Sequence, residues 1–176
     1  VPMAARLRAL LGADVSLAGY HLPLDAHNEI GNNALLRERL GLQADPRPFG
    51  RARGAAVGAI GADEAGIEIG ELARRTRELV GQEPLVFDSG PSSIHAVGIV
   101  SGGGAFAIEE AGSLGLDALI TGEPSEPAMA EAREHRVHFI AAGHYATETL
   151  GIRRLGEVLA ERFAVEHEFI DVPNPV

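Results

Sequence analysis

Apolar positions in this chain alternate between two periods. Leu7, Leu10 and Leu11 recur at helical spacing within Ala4–Leu11, and Gly12 stops that run. Residues 14–20 then alternate apolar and polar, the pattern of a half-buried strand. The polar stretch 21–32 predicts a loop, with Asn32 or Asn33 capping a helix over Ala34–Leu40 that ends at Gly41. Pro46, Pro48 and Gly50 punctuate residues 43–54, the clearest boundary in the chain. Beyond it the pattern predicts strands at 55–60, 85–88, 94–100, 118–120, 137–141 and 166–172. Helices are predicted at 69–80, 105–111, 124–134 and 144–163. Strands alternating with helices predict α/β layers with a partly parallel sheet, in which ligand sites gather at the carboxyl ends of the strands.

Composition narrows the function classes. The chain has 176 residues, 45% of them hydrophobic and 23% charged, as in an ordinary globular protein. No apolar run approaches the roughly 20 residues of a membrane span, so no membrane partner is expected. Cysteine is absent, which excludes thiolate metal sites and cysteine nucleophiles and fits a cytoplasmic protein. A formal charge of −10 argues against general nucleic-acid binding, since duplex affinity rests on basic residues neutralising phosphates. The opening Val1-Pro2, with no initiator Met and no signal peptide, predicts a fragment that lacks an N-terminal part.

Four stretches carry candidate chemistry. Tyr20–His27 sets His21, Asp25 and His27 within seven residues, and Pro23 stiffens the backbone between them. One carboxylate with imidazole nitrogens suits a divalent metal of intermediate softness. The plainer alternative is a turn whose Asp caps a helix while the histidines face solvent. His144 and Glu148 stand four apart at a helix start that follows a strand, so both project from one helix face. Glu in a first turn is also favoured by the helix dipole alone. Gly102, Gly103 and Gly104 precede a helix without the spacing of a Walker or dinucleotide motif, and either approach an anion or pack a strand tightly on its helix. Glu123 follows a strand and serves either as a proton-transfer group, a partner to a ligand, or a helix-start carboxylate. His95, His135, His138 and His167 have no such setting and are expected to be structural or surface residues.

Taken in order, the segments His21-Leu-Pro-Leu-Asp25-Ala-His27, Gly31-Asn-Asn33, Ser101-Gly-Gly-Gly104, Asp117-Ala-Leu-Ile-Thr-Gly-Glu123 and Gly143-His-Tyr-Ala-Thr-Glu148 resemble the NIF-three-like family, also called the GTP cyclohydrolase I type 2 family. The resemblance covers essentially the whole chain. It implies a two-lobed α/β fold, with residues 1–46 as the remainder of an N-terminal lobe and 47–176 as the C-terminal lobe. It also implies a dinuclear metal centre in the cleft between lobes and a ring-shaped homohexamer. Carried over by motif, Asp25, His144 and Glu148 are metal ligands. His21 is a pocket residue that, with Glu123, is a candidate for moving protons. The family's adjacent His-His ligand pair occurs nowhere in this sequence. Two metals per subunit (iron, zinc or manganese) are therefore expected only if a preceding segment supplies that pair. The expected function is a metal-dependent hydrolase of a small nucleotide-like or heterocyclic substrate. The alternative is a non-catalytic metal-handling or interaction scaffold.

Overall fold

The computed structural model describes residues 1–174. Helix α1 (Pro2–Gly12) leads through an extended segment to a short helix α2 (His21–Asp25) and helix α3 (Asn32–Arg39). There follow β1 (Gln43–Asp45), a small hairpin of β2 (Arg51–Ala52) and β3 (Ala55–Ala56), the long strand β4 (Ala59–Ile67) and helix α4 (Ile69–Val80). The remainder alternates: β5 (Leu85–Phe87), β6 (Ile94–Val100), a 3₁₀ turn (Gly104–Ala107) running into α5 (Ile108–Ser113), β7 (Ala118–Thr121), α6 (Ala128–His135), β8 (His138–Ala141) and α7 (His144–Phe163).

Six strands form one mixed sheet in the order β1-β4-β6-β7-β8-β5. β6, β7 and β8 run parallel, while β1, β4 and β5 add antiparallel to their neighbours. The parallel centre is buried on both faces, so its strands are almost wholly apolar. Alternate residues feed two cores. Leu119 and Phe139 pack with Ile108, Ala111, Ala128 and Ala132 beneath α5 and α6. Ile120, Ile140 and Ile99 pack with Leu36, Leu72 and Leu150 beneath α3, α4 and α7. The result is a mixed α/β layered fold, as the alternation of periods predicts. No helix among the described residues is long and apolar enough to cross a membrane.

Several expectations need correction. Neither 14–20 nor 166–172 forms a strand. Their alternation is real, but Val15, Leu17, Ile170 and Val172 are exposed. Parts of both segments line a cleft with α7 and pair with no strand, and a strand without a neighbour has no ladder to close. The stretch 21–32 is not all loop, because His21–Asp25 winds into a helical turn. The boundary region holds β1 and the hairpin, and the strand predicted at 55–60 divides between β3 and β4. The asparagines cap nothing. Gly31 is the N-cap of α3, and both Asn side chains point elsewhere.

The three parallel strands end together, and their hydrogen bonding continues into the loops that follow. Gly122 N–H donates to Gly102 O at 2.8 Å, and Gly143 N–H donates to Gly122 O at 2.7 Å. Thr121 Oγ1 and Glu123 N–H also donate to Gly102 O, at 3.0 and 3.1 Å. These rungs hold the loops carrying Ser101–Gly103, Glu123 and His144 side by side.

Candidate metal centre

Helix α7 starts directly after β8, with Gly143 as its N-cap. Its first two turns therefore stand over the strand ends. His144 and Glu148 lie four apart on one face, with His144 Nε2 3.4 Å from Glu148 Oε1. From the other side, α2 presents His21 and Asp25 at the same four-residue spacing. One ligand atom from each of His21, Asp25 and Glu148 lies within 4.8 Å of the other two. The loop after β7 adds Glu123, whose Oε1 lies 3.1 Å from His144 Nδ1. His21, Asp25, Glu123, His144 and Glu148 gather at one end of the sheet from three separate stretches of chain, while His27 stays exposed, its Nδ1 accepting the N–H groups of Glu29 and Ile30.

Asp25 is buried, with Asn32 Nδ2 donating to its Oδ1 at 2.7 Å. Burial pushes the Glu148 carboxyl above its ordinary value. Its charged neighbours divide: His144 and His21 pull it down, while Asp25 and Glu123 push it further up. Ionising Glu148 therefore costs the fold stability as pH rises through that raised value. No arginine lines the cavities at these residues. Two carboxylates with one or two imidazoles are a donor set suited to zinc, iron or manganese, and a cation would remove the cost of ionising Glu148.

The floor of the site is backbone. Gly102 has φ 62°, a left-handed conformation that favours glycine. A Cβ there would run into Glu148 Oε1 and lie 2.9 Å from His144 Nε2. Thr147 Oγ1, one turn into α7, accepts the Gly102 N–H at 3.0 Å. Gly102 thus packs the end of β6 against α7, a different helix from the one that the glycine run opens. A cavity of about 270 Å³ opens here, lined by Asp25, His144 and Glu148 together with the apolar Leu22, Val57 and Phe106.

Two features go beyond the sequence reading. His21 belongs geometrically with Asp25 and Glu148 as well as near the pocket, and its four-residue spacing to Asp25 was the available signal. Asn32 reaches the site only through the tertiary fold. His138 is a buried structural residue, its Nε2 2.7 Å from Pro91 O and its Nδ1 accepting the Gly90 N–H.

Comparison with known proteins agrees with this arrangement of motifs. The family model described as Duf34/NIF3 (NGG1p interacting factor 3) matches residues 1–175. A Pseudomonas aeruginosa protein named GTP cyclohydrolase 1 type 2 homolog is 43% identical over 97% of this chain and 67% of its own length. A Deinococcus radiodurans protein of the same name is 40% identical over 98% of this chain and 65% of its own. The chain thus spans about two thirds of the length of these relatives. Among solved structures, a protein called ybgI, described as of unknown function, superposes with a TM-score of 0.88 at 42% identity, covering 97% of this chain and 67% of that one. A crystal structure of a Thermus thermophilus protein gives 0.85 at 34% identity, covering 97% and 66%. A match over nearly every residue, in sequence and in fold alike, means that the chain belongs to the DUF34/NIF3 family.

Proposed function

We propose that this protein binds a divalent metal through Asp25, His144 and Glu148 and hydrolyses a small nucleotide-like or heterocyclic substrate there. The observation carrying this reading is the convergence of α2 and α7. Ligand atoms of His21, Asp25 and Glu148 lie within 4.8 Å of one another, and His144 lies beside Glu148. When bound, a metal of this kind supplies Lewis acidity and lowers the pKa of water. The chain's own residues do the rest. Glu123 accepts from His144 Nδ1 and so directs Nε2 towards the site. His21, on the exposed side, is placed to take or give a proton. Leu22, Val57 and Phe106 offer an apolar wall to a flat ring. The same reading includes a cytoplasmic homohexamer. It also includes a second metal wherever a His-His pair from outside these residues completes the donor set.

Metal content and turnover test it together. Asp25→Asn and Glu148→Gln should each lose zinc or manganese in competition with a chromophoric chelator, and lose hydrolysis of a nucleotide panel with it. Metal affinity unchanged in either variant would overturn the assignment. Glu123→Gln, which weakens the hold on His144 Nδ1, should cost about 10–100-fold in metal affinity or turnover, less than loss of a ligand.

One observation favours a second reading, a metal-handling protein without catalysis. Glu123, the best-placed carboxylate for proton transfer, is already engaged with His144. Metal-loaded protein that turns over nothing across a broad panel would select that reading.

A further inference from the structure

The two halves of the site come from different parts of the fold and must be tied together. Helix α2 has only five residues and is bounded by irregular chain, so it cannot by itself fix the position of Asp25 against α7. The tie is Asn32. This side chain is 4% exposed and makes two hydrogen bonds of opposite polarity. Its Nδ2 donates to Asp25 Oδ1 at 2.7 Å, and its Oδ1 accepts the N–H of Gly151, in the middle of α7, also at 2.7 Å. Turning the amide over would set N–H against N–H and oxygen against carboxylate, so only one orientation satisfies both partners.

Neighbouring residues are shaped to this contact. A Cβ on Gly151 would lie 2.9 Å from Asn32 Oδ1 and 3.2 Å from the Asn32 backbone nitrogen. Only a residue without a side chain lets α3 come this close to α7. Asn33 performs the matching task for the backbone. Its Nδ2 donates to Val57 O at 2.7 Å and to Asp25 O at 3.4 Å, and its Oδ1 accepts the Ser101 N–H at 2.7 Å. Asn33 thus anchors the α2–α3 turn to the end of β6, while Asn32 orients the carboxylate itself.

We propose that Asn32 is a positioning residue for the metal site. It occupies Oδ1 of Asp25, leaves the carboxylate's other oxygen without that donor, and sets the distance between Asp25 and α7. This inference rests on the metal-binding reading above. A carboxylate held by a neutral donor enters a coordination sphere already oriented, and loss of such an outer partner typically weakens metal affinity by about 10–100-fold.

The test measures manganese and zinc affinity by chelator competition, alongside the melting temperature of metal-free protein. Asn32→Leu, similar in volume but without hydrogen bonds, and Asn32→Ala should each lose about 10–100-fold in affinity. Thr76→Val is the stability control. Thr76 is buried in α4, where its hydroxyl donates to Leu72 O, away from the site. It should lower the melting temperature and leave metal affinity unchanged. Gly151→Ala, which drives a methyl group into Asn32 Oδ1 without altering any ligand, gives a second route if the Asn32 variants fold poorly, and should also weaken binding. Wild-type affinity in the Asn32 and Gly151 variants, with binding lost in Asp25→Asn, overturns the positioning role and leaves the metal reading standing. An Asp25→Asn variant that binds metal like wild type removes both.

Discussion

Acidic side chains meet two different fates in this molecule. On α4, Glu71 accepts hydrogen bonds from Arg74 and Arg75 at 2.8 Å, and Arg74 reaches Glu78 at 2.6 Å. These partners stand three or four residues apart on an open helix face, and the guanidiniums of Arg74 and Arg75 hold the Glu71 carboxyl down to about 2. At the end of the parallel strands, Asp25, Glu123 and Glu148 gather with only imidazoles for company, and burial drives Glu148 the opposite way. A guanidinium is always charged, and none lines the cavities where these carboxylates gather. One region therefore balances its own charge and the other does not. A cleft that collects carboxylates and excludes arginine is stable at neutral pH when something else supplies positive charge, which is the role assigned above to a divalent metal.

Three substitutions would break or sharpen this contrast. The largest effect should come from Gly102→Ala, which leaves every ligand in place but thrusts a methyl group into Glu148. Metal affinity in chelator competition should fall by about 100-fold or more, beyond the usual loss from an outer-shell change. The left-handed backbone should lower the melting temperature as well, since a non-glycine residue there costs about 1–2 kcal/mol. Next is Phe106→Arg, which brings the device of α4 to the mouth of the cavity. It should weaken manganese binding roughly tenfold at low ionic strength and less in high salt, where screening shortens the reach of the new charge. An unchanged affinity would mean that the cleft's charge balance does not govern binding. The smallest effect belongs to Glu71→Gln. Metal affinity should not move, and melting should shift slightly. Because the folded value is depressed, Glu71 contributes its stability above its ordinary value of 4.5 and loses it as pH falls through about 2. Melting of wild type and variant should therefore converge across that acid window.

The sequence carried some of this more legibly than the rest. Helices α4 and α7 were readable to within a residue, because each combines a helical stripe with a clear stop or start: Gly81 after α4, Gly143 before α7. The central strands were readable because burial on both faces makes them continuously apolar. The alternating segments at 14–20 and 166–172 misled, since alternation specifies a pattern of faces but not a partner to pair with. Helix α2 was hidden by its length: five residues give no period to detect, and Pro23 within it reads as a loop signal. At the site, the His144–Glu148 pair was visible because both lie on one helix. The bond from Glu123 to His144 was open as one of three readings. Asn32 was misjudged as a cap because its partners, Asp25 and Gly151, lie 7 residues before it and 119 after it.

The rungs joining Gly102, Gly122 and Gly143 bear on how the protein breathes. Glycine loops are usually assigned to the most mobile part of a fold. Here their amides continue the ladder of the parallel strands, so parting one loop from the next means opening the sheet beneath it. In the language of amide exchange, the Gly122 and Gly143 N–H groups belong to the same cooperative unit as β6, β7 and β8. The opposite rim is held differently. Helix α2 is fastened largely through asparagine side chains, and the hairpin whose Ala52 lines the same cavity has only two residues per strand. The cavity is thus bounded by a floor tied through backbone rungs and a rim tied through side chains.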